Sequence, residues 1–255
     1  MTVNLKQFTY RANAGDAASG VVVQHVLRDT IRIVGPEDQE QPNLIAIGSI
    51  LQWADKSSII WGAGLLQDGL LLKAAPRAIL AVRGPLTRAS LQSQGIDCAD
   101  VFGDPGVLMP DVLPFPQSHR TGVGVVPHYC DVEEAFVARA RADGAVIIDP
   151  RWPLETYLAA LTGCASIVSS SLHGLVFAHA YGIPAVWVKL SERVLGDGFK
   201  FRDYFGSVGL PASCRFGPAD RLDTVVKACE LPIRSIDKAA LTNALVNARS
   251  LLASA

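Results

Sequence analysis

The sequence predicts an α/β protein made of two Rossmann-like, doubly wound halves that face each other across a cleft. Three observations predict it. Short aliphatic or β-branched runs alternate with segments punctuated as helices. The alternation occurs twice, on either side of a stretch carrying Pro105, Pro110, Pro114 and Pro116. At 255 residues the chain can bury full cores without disulfides or structural metals.

The elements follow in order. Residues 21–33 (VVVQHVLRDTIRI) read as a helix. NLIAIG (43–48), SSIIWGAG (57–64) and RAILAVRG (77–84) read as buried strands ending in Gly. PLTRASLQSQG has Pro85 at its start and Gly95 at its end, the punctuation of a helix. Residues 104–118 read as a loop and interdomain linker, dividing the chain into halves 1–115 and 116–255. The pattern then restarts with a strand at 121–128, a helix at 131–142, a strand at 144–150 and a helix at 153–163. CASIVSS (164–170) is a strand, SLHGLVFAHAYG a helix and IPAVWVKL a strand, and 237–253 reads as a surface helix.

Composition narrows the function. A net charge of −1, with 18% charged and 49% hydrophobic residues, excludes global disorder and argues against nucleic acid as a partner. Five scattered cysteines without CxxC spacing fit small buried residues in a reducing compartment. The polar N-terminus has no signal core, and no run reaches the ~18 apolar residues of a membrane span. The expected location is the cytoplasm, with at most a peripheral membrane contact. Trp53, Trp61, Trp152 and Trp187 read as core, and His25, His119 and His179 as surface or core.

No dinucleotide fingerprint survives inspection: Gly122-Val123-Gly124 leads to Pro127, and Gly62-Ala63-Gly64 leads to Gln67. There is no P-loop, HExxH or GxSxG motif. No metal constellation and no cofactor are expected. Chemistry in a parallel sheet belongs beyond the carboxyl ends of its strands, and the candidates lie there. Ser169, Ser170 and Ser171 run from a strand into a helix carrying His173 and Gly174. Exposed N–H groups at such a terminus bind anions, and the imidazole can move a proton near neutral pH. Arg83 ends a strand and Arg88 lies about one turn into the next helix, with guanidinium groups suited to carboxylate or phosphate. Asn13 and Asp16 precede or cap the first helix, Asp104 sits in a tight GDPG turn, and His128 follows strand 121–126. Lys200 and Asp203 lie in GFKFRDYF, a sugar-binding or lid segment, or an amphipathic helix over the core.

In this order NAGD, IAIGSIL, IIWGAG, AVRGPLTR, FGDPGVL, VVPHY, IVSSSLHGLVFAHAYGIPAV and GFKFRDYF resemble the polysaccharide pyruvyltransferases. The likeness is to the short bacterial ketal pyruvate transferases of exopolysaccharide synthesis, of the xanthan and succinoglycan type, and covers roughly residues 11–207. It implies two Rossmann-like domains in a GT-B-like arrangement. It also implies transfer of pyruvate from phosphoenolpyruvate to two hydroxyls of one sugar, giving a cyclic ketal and phosphate. The implied acceptor is a lipid-linked oligosaccharide at the cytoplasmic membrane face. By resemblance His173 is the acid/base residue and Arg83 a phosphoenolpyruvate ligand. Some members carry Arg where this chain has Ser171, so Arg88 or Lys200 is expected to substitute. Asp16, Asp104 and His128 are the candidate bases. The anion is expected on the C-terminal half and the sugar mainly on the N-terminal half. Two other readings share the architecture: a GT-B glycosyltransferase using a nucleotide sugar, and a catalytically degenerate saccharide-binding subunit.

Overall fold

The computed structural model describes residues 1–38, 41–116 and 119–253. Two parallel sheets form its frame. The first holds β1 (Thr2–Lys6), β2 (Thr30–Val34), β3 (Asn43–Ile45), β4 (Ser58–Trp61) and β5 (Ala78–Ala81) in the order β2-β1-β3-β4-β5. The second holds β6 (Val123–Val126), β7 (Val146–Ile147), β8 (Ser166–Ser169) and β9 (Ala185–Trp187) in the order β7-β6-β8-β9. In each, the chain goes outward from the first strand, then returns past it. Each sheet therefore has a topological switch point, between β1 and β3 and between β6 and β8. A crevice opens at such a point beyond the strand ends.

The first helix is α1 (Ala14–Leu27), earlier than the expected 21–33. The Asn13 side chain accepts a hydrogen bond from the Gly15 N–H and caps it, and Arg28 ends it with φ 58°. The β-branched residues of TIRIV then pair with β1 as β2, where their shape suits a pleated surface. α2 (Pro85–Ser93) follows the predicted punctuation. The crossovers from β3 to β4 and from β4 to β5 are irregular, apart from one 3₁₀ turn at Leu51–Trp53. Winding by helices is more regular in the second half, where α4 (Ala135–Ala142), α5 (Leu154–Thr162) and α6 (Leu172–Ala180) follow β6, β7 and β8.

The proline-rich stretch is more structured than the expected loop. Pro105–Leu108 form a 3₁₀ turn and Met109–Val112 the short helix α3, and Val107, Leu108 and Met109 are buried in the main core. Their apolar side chains pack with Leu175 and Phe177 of α6, so this segment ties the halves together. Residues 117 and 118 of the expected linker lie outside the described residues.

Two C-terminal elements also cross between the sheets. α7 (Phe199–Val208) packs against α2. The short helix α8 (Leu222–Val226) stays beside β8 and β9. α9 (Lys238–Asn247) lies on β4, β5 and α1 with Leu241 and Leu245 fully buried and its other residues half-buried or exposed, so it is a surface helix with one core-facing stripe. The Trp61 indole N–H donates to the Leu241 carbonyl at 2.7 Å. Trp61 and Trp187 are core as expected, whereas Trp152 is exposed and Trp53 half-buried in a surface aromatic cluster. All five cysteines are free thiols.

Candidate active site

The two switch points meet. Asn13 and Asp16 follow β1, and Gly48 and Ser49 follow β3. His128 follows β6, and Ser169–His173 run from β8 into α6. Asp104 arrives at the same rim because Phe102 forms a parallel bridge with Val82, just beyond β5. At the centre, a Cβ on Gly15 would fall 1.9 Å from Nδ1 of His173. Only glycine lets α1 and the His173 ring approach this closely.

Charge in this crevice is poorly compensated. Lys200 is buried, its ammonium pairs with no described carboxylate, and burial together with Arg83 lowers its pKa to about 8. The ammonium lies 5.5 Å from the centre of the Phe201 ring. Asp16 is buried too, and that burial raises its carboxyl to about 7, with Lys200 opposing the rise and Asp104 adding to it. Burial raises Asp104 to about 6, against the pull of the Gly106 N–H and Arg83. Burial lowers His173 to about 3, helped by Lys200 and Arg83, so its ring is neutral at neutral pH. His128 falls to about 3 through burial, Lys200 and His173. Nε2 of His173 faces Oδ2 of Asp104 at 4.0 Å, and neither atom has a hydrogen-bond partner among the described residues. That gap is too long for a hydrogen bond. A small shift, or a proton on the ring, would turn it into a charge-assisted one.

The serines divide in role. The Ser169 hydroxyl lies 2.8 Å from the Val126 carbonyl and accepts from the Ser171 N–H, which ties it to the backbone. Gly174 packs over it, since a Cβ there would fall 2.3 Å from the Ser169 oxygen. Ser170 accepts from the His128 N–H at 2.8 Å and donates to Asp131 at 2.7 Å. Ser171 occupies the N-cap position of α6 but makes no capping bond, so the first-turn N–H groups of that helix lack a side-chain acceptor. An anion near this terminus is favoured by the dipole as well.

Arg83 sits at the rim but is already committed. Its Nε donates to Asp203 at 3.0 Å, Nη1 to Ser49 at 2.7 Å and Nη2 to the Leu65 carbonyl at 2.8 Å, with Arg83 and Asp203 fully buried. Asp203 also accepts from the Thr87 N–H and hydroxyl. The pair thus brackets α7 to β5 and α2. Arg88 is not brought to the crevice: it pairs with Asp100 and lies over the Phe102 ring. Lys200, three residues before Asp203 on α7, is.

Asp131 escaped the sequence reading. It is fully buried and accepts from Ser170 and, at 2.5 Å, from Ser191, so it holds the His128 loop through Ser170. Its signal was its place in the same post-strand loop as His128, three residues on. Ser49 and Thr87 were missed as well, because only the fold shows them at the Arg83–Asp203 pair.

No group of His, Cys, Asp and Glu side chains among the described residues has the arrangement of a metal site. No helix among them is long and apolar enough to cross a membrane.

No solved structure matches this chain significantly. The uncharacterised protein L143 of Acanthamoeba polyphaga mimivirus is 29% identical over 218 residues, which are 82% of this chain and 75% of L143. The succinoglycan biosynthesis protein ExoV of Rhizobium meliloti (strain 1021) is 26% identical over 195 residues, 72% of this chain. The matched region spans 60% of the length of ExoV. The model of the polysaccharide pyruvyl transferase family matches residues 13–192, a span that begins at the cap of α1 and covers β2 through β9, and the chain belongs to that family.

Proposed function

We propose that this chain transfers pyruvate from phosphoenolpyruvate to two hydroxyls of one sugar in a polysaccharide repeat unit, forming a cyclic ketal and releasing phosphate. The observation that carries the reading is the Lys200 ammonium, buried and without a carboxylate partner, in the crevice where the uncapped α6 terminus and His173 meet. Phosphoenolpyruvate brings a phosphate and a carboxylate, and the crevice offers the Lys200 ammonium and the first-turn N–H groups of α6. Lys200 takes the place of the arginine that Ser171 lacks.

Each step then has a residue. Bound anion raises the pKa of His173, and the imidazolium is held by Asp104, 4.0 Å away. His173 gives its proton to the methylene carbon of phosphoenolpyruvate, leaving an oxocarbenium-like centre. A sugar hydroxyl attacks that centre as Asp16 takes its proton. The bond to phosphate breaks, the second hydroxyl attacks, and its proton leaves with the phosphate. A carboxyl pushed up to about 7 is matched to accepting and returning a proton near neutral pH. His128, held neutral, orients a hydroxyl. Arg83 acts at second hand, by fixing Ser49 and α7, and contributes its field to the donor.

In this reading the halves 1–115 and 116–255 form a GT-B-like pair, with acceptor on the first and donor on the second. The acceptor is lipid-linked and the protein works at the cytoplasmic membrane face. The test is phosphate release from phosphoenolpyruvate, with and without a pool of lipid-linked oligosaccharides, in wild type and His173→Ala. Acceptor-dependent release that vanishes in the variant is expected. A folded protein that neither releases phosphate nor binds phosphoenolpyruvate would sink the reading.

A further inference from the structure

One cavity lies outside the crevice yet adjoins it. It measures about 800 Å³ and is bounded by Tyr10, Gln52, Trp53, Lys56, Leu71 and Lys73, among others. Its aromatic wall is ordered rather than incidental. Phe8 stacks on Trp53 at 6.3 Å, and Tyr10 stands edge-on to both, at 5.5 and 6.2 Å. Tyr10 is nevertheless 67% exposed. A large aromatic ring held this open to water in a concave site marks a binding surface.

The wall is anchored from below. Lys6, fully buried at the end of β1, donates to the Trp53 carbonyl at 3.1 Å and to Asp55 at 2.5 Å. A buried ammonium spent on a surface loop fixes the position of that loop. Gln52 donates to the Ser49 carbonyl at 3.0 Å, while its own side-chain oxygen is buried and has no hydrogen-bond partner among the described residues. Ser49 in turn accepts from Arg83. The cavity wall and the crevice thus share Ser49. They also share a loop: Tyr10 and Asn13 are three peptide units apart, so their Cα atoms lie within about 11 Å. An oligosaccharide bridges such a span and a single pyranose does not.

We infer that the Tyr10–Trp53 groove is a second saccharide subsite, which binds sugar residues flanking the one that is modified. Aromatic faces cover the apolar faces of pyranoses. Lys56 and Lys73, with Glu37 and Asp55, line the groove and offer polar groups to sugar hydroxyls. The inference rests on the saccharide acceptor proposed above.

The test uses the full chain on an array of immobilised neutral and uronic-acid oligosaccharides of graded length, alongside phosphoenolpyruvate titration. Wild type binds glycans of the array. Tyr10→Ala weakens that binding about tenfold, as loss of an exposed aromatic anchor does, while Tyr10→Phe retains it. Phosphoenolpyruvate does not displace the glycans. Absence of glycan binding, or equal binding by Tyr10→Ala, overturns the subsite. Glycan binding that depends on Tyr10 without phosphoenolpyruvate binding would keep the subsite and remove the transferase reading. Phosphoenolpyruvate binding with no effect of Tyr10→Ala would do the reverse.

Discussion

Asp16 and Lys200 are each held in the crevice at a cost to the fold, and both costs are measurable. The Asp16 carboxyl is raised to about 7 by burial, so between about pH 4 and 7 the folded chain keeps a proton that the unfolded chain has lost. Stability at this residue is therefore highest in acid and declines as pH rises through that window. Asp16→Asn removes the dependence. It should be more stable than wild type by on the order of 2–4 kcal/mol above pH 7, with the gap closing below pH 4. Denaturant melts across pH check this, and activity should fall while stability rises. Lys200→Ala should weaken phosphoenolpyruvate about tenfold to a hundredfold, the worth of a charge-assisted contact. Calorimetry reads that loss, and Lys200→Arg should recover part of it. Gly15→Ala drives a methyl into the His173 ring. Its turnover should drop about a hundredfold, as a misplaced catalytic group does, with far less effect on the melting temperature.

At the scale of elements, the site is held by brackets that join distant segments. Arg83 at the end of β5 and Asp203 on α7 are 120 residues apart and form a fully buried ion pair. Removing one partner leaves a charge without compensation. Arg83→Met should cost about 3–5 kcal/mol in chemical denaturation. The double variant Arg83→Met, Asp203→Leu should recover much of that. If Arg83 were chiefly a donor ligand with a loose partner, the single variant would lose binding and keep its stability. The strand-end candidates were legible because Val-rich runs ending in polar residues announce where a parallel sheet presents its loops. His128, Ser170 and His173 follow from that rule alone. The Arg83 partner was not legible, because no local pattern says which carboxylate of a chain closes a pair at such a separation. The α1 boundary was misread for a related reason: VVVQHVL and TIRIV look continuous in periodicity. The break is a left-handed Arg28, which no glycine or proline marks.

Across the whole molecule, the two sheets share one strand plan, and two segments lock them together, the Pro105–Val112 stretch and α7, while α9 returns from the second sheet to pack on the first. The plan was readable in the two rounds of alternation. The return of α9 to the first sheet was not, since its sequence does not say which element Leu241 and Leu245 pack against. Leu241→Ala should therefore cost about 2–5 kcal/mol, measured by urea titration, as cavities in a packed core do. A solvent-facing leucine would lose less than about 0.5 kcal/mol. The locks set the distance between switch points and so hold His173 over Gly15, with Lys200 at the shared rim. The most direct measurement is calorimetric titration of phosphoenolpyruvate, in two buffers of different ionisation enthalpy, on wild type, Lys200→Ala and His173→Ala. Wild type should bind with uptake of a proton at pH 7, Lys200→Ala at least tenfold more weakly, and His173→Ala without the uptake. Equal binding by wild type and Lys200→Ala, or binding by wild type with no proton uptake, would contradict an anion site built on Lys200 that charges His173.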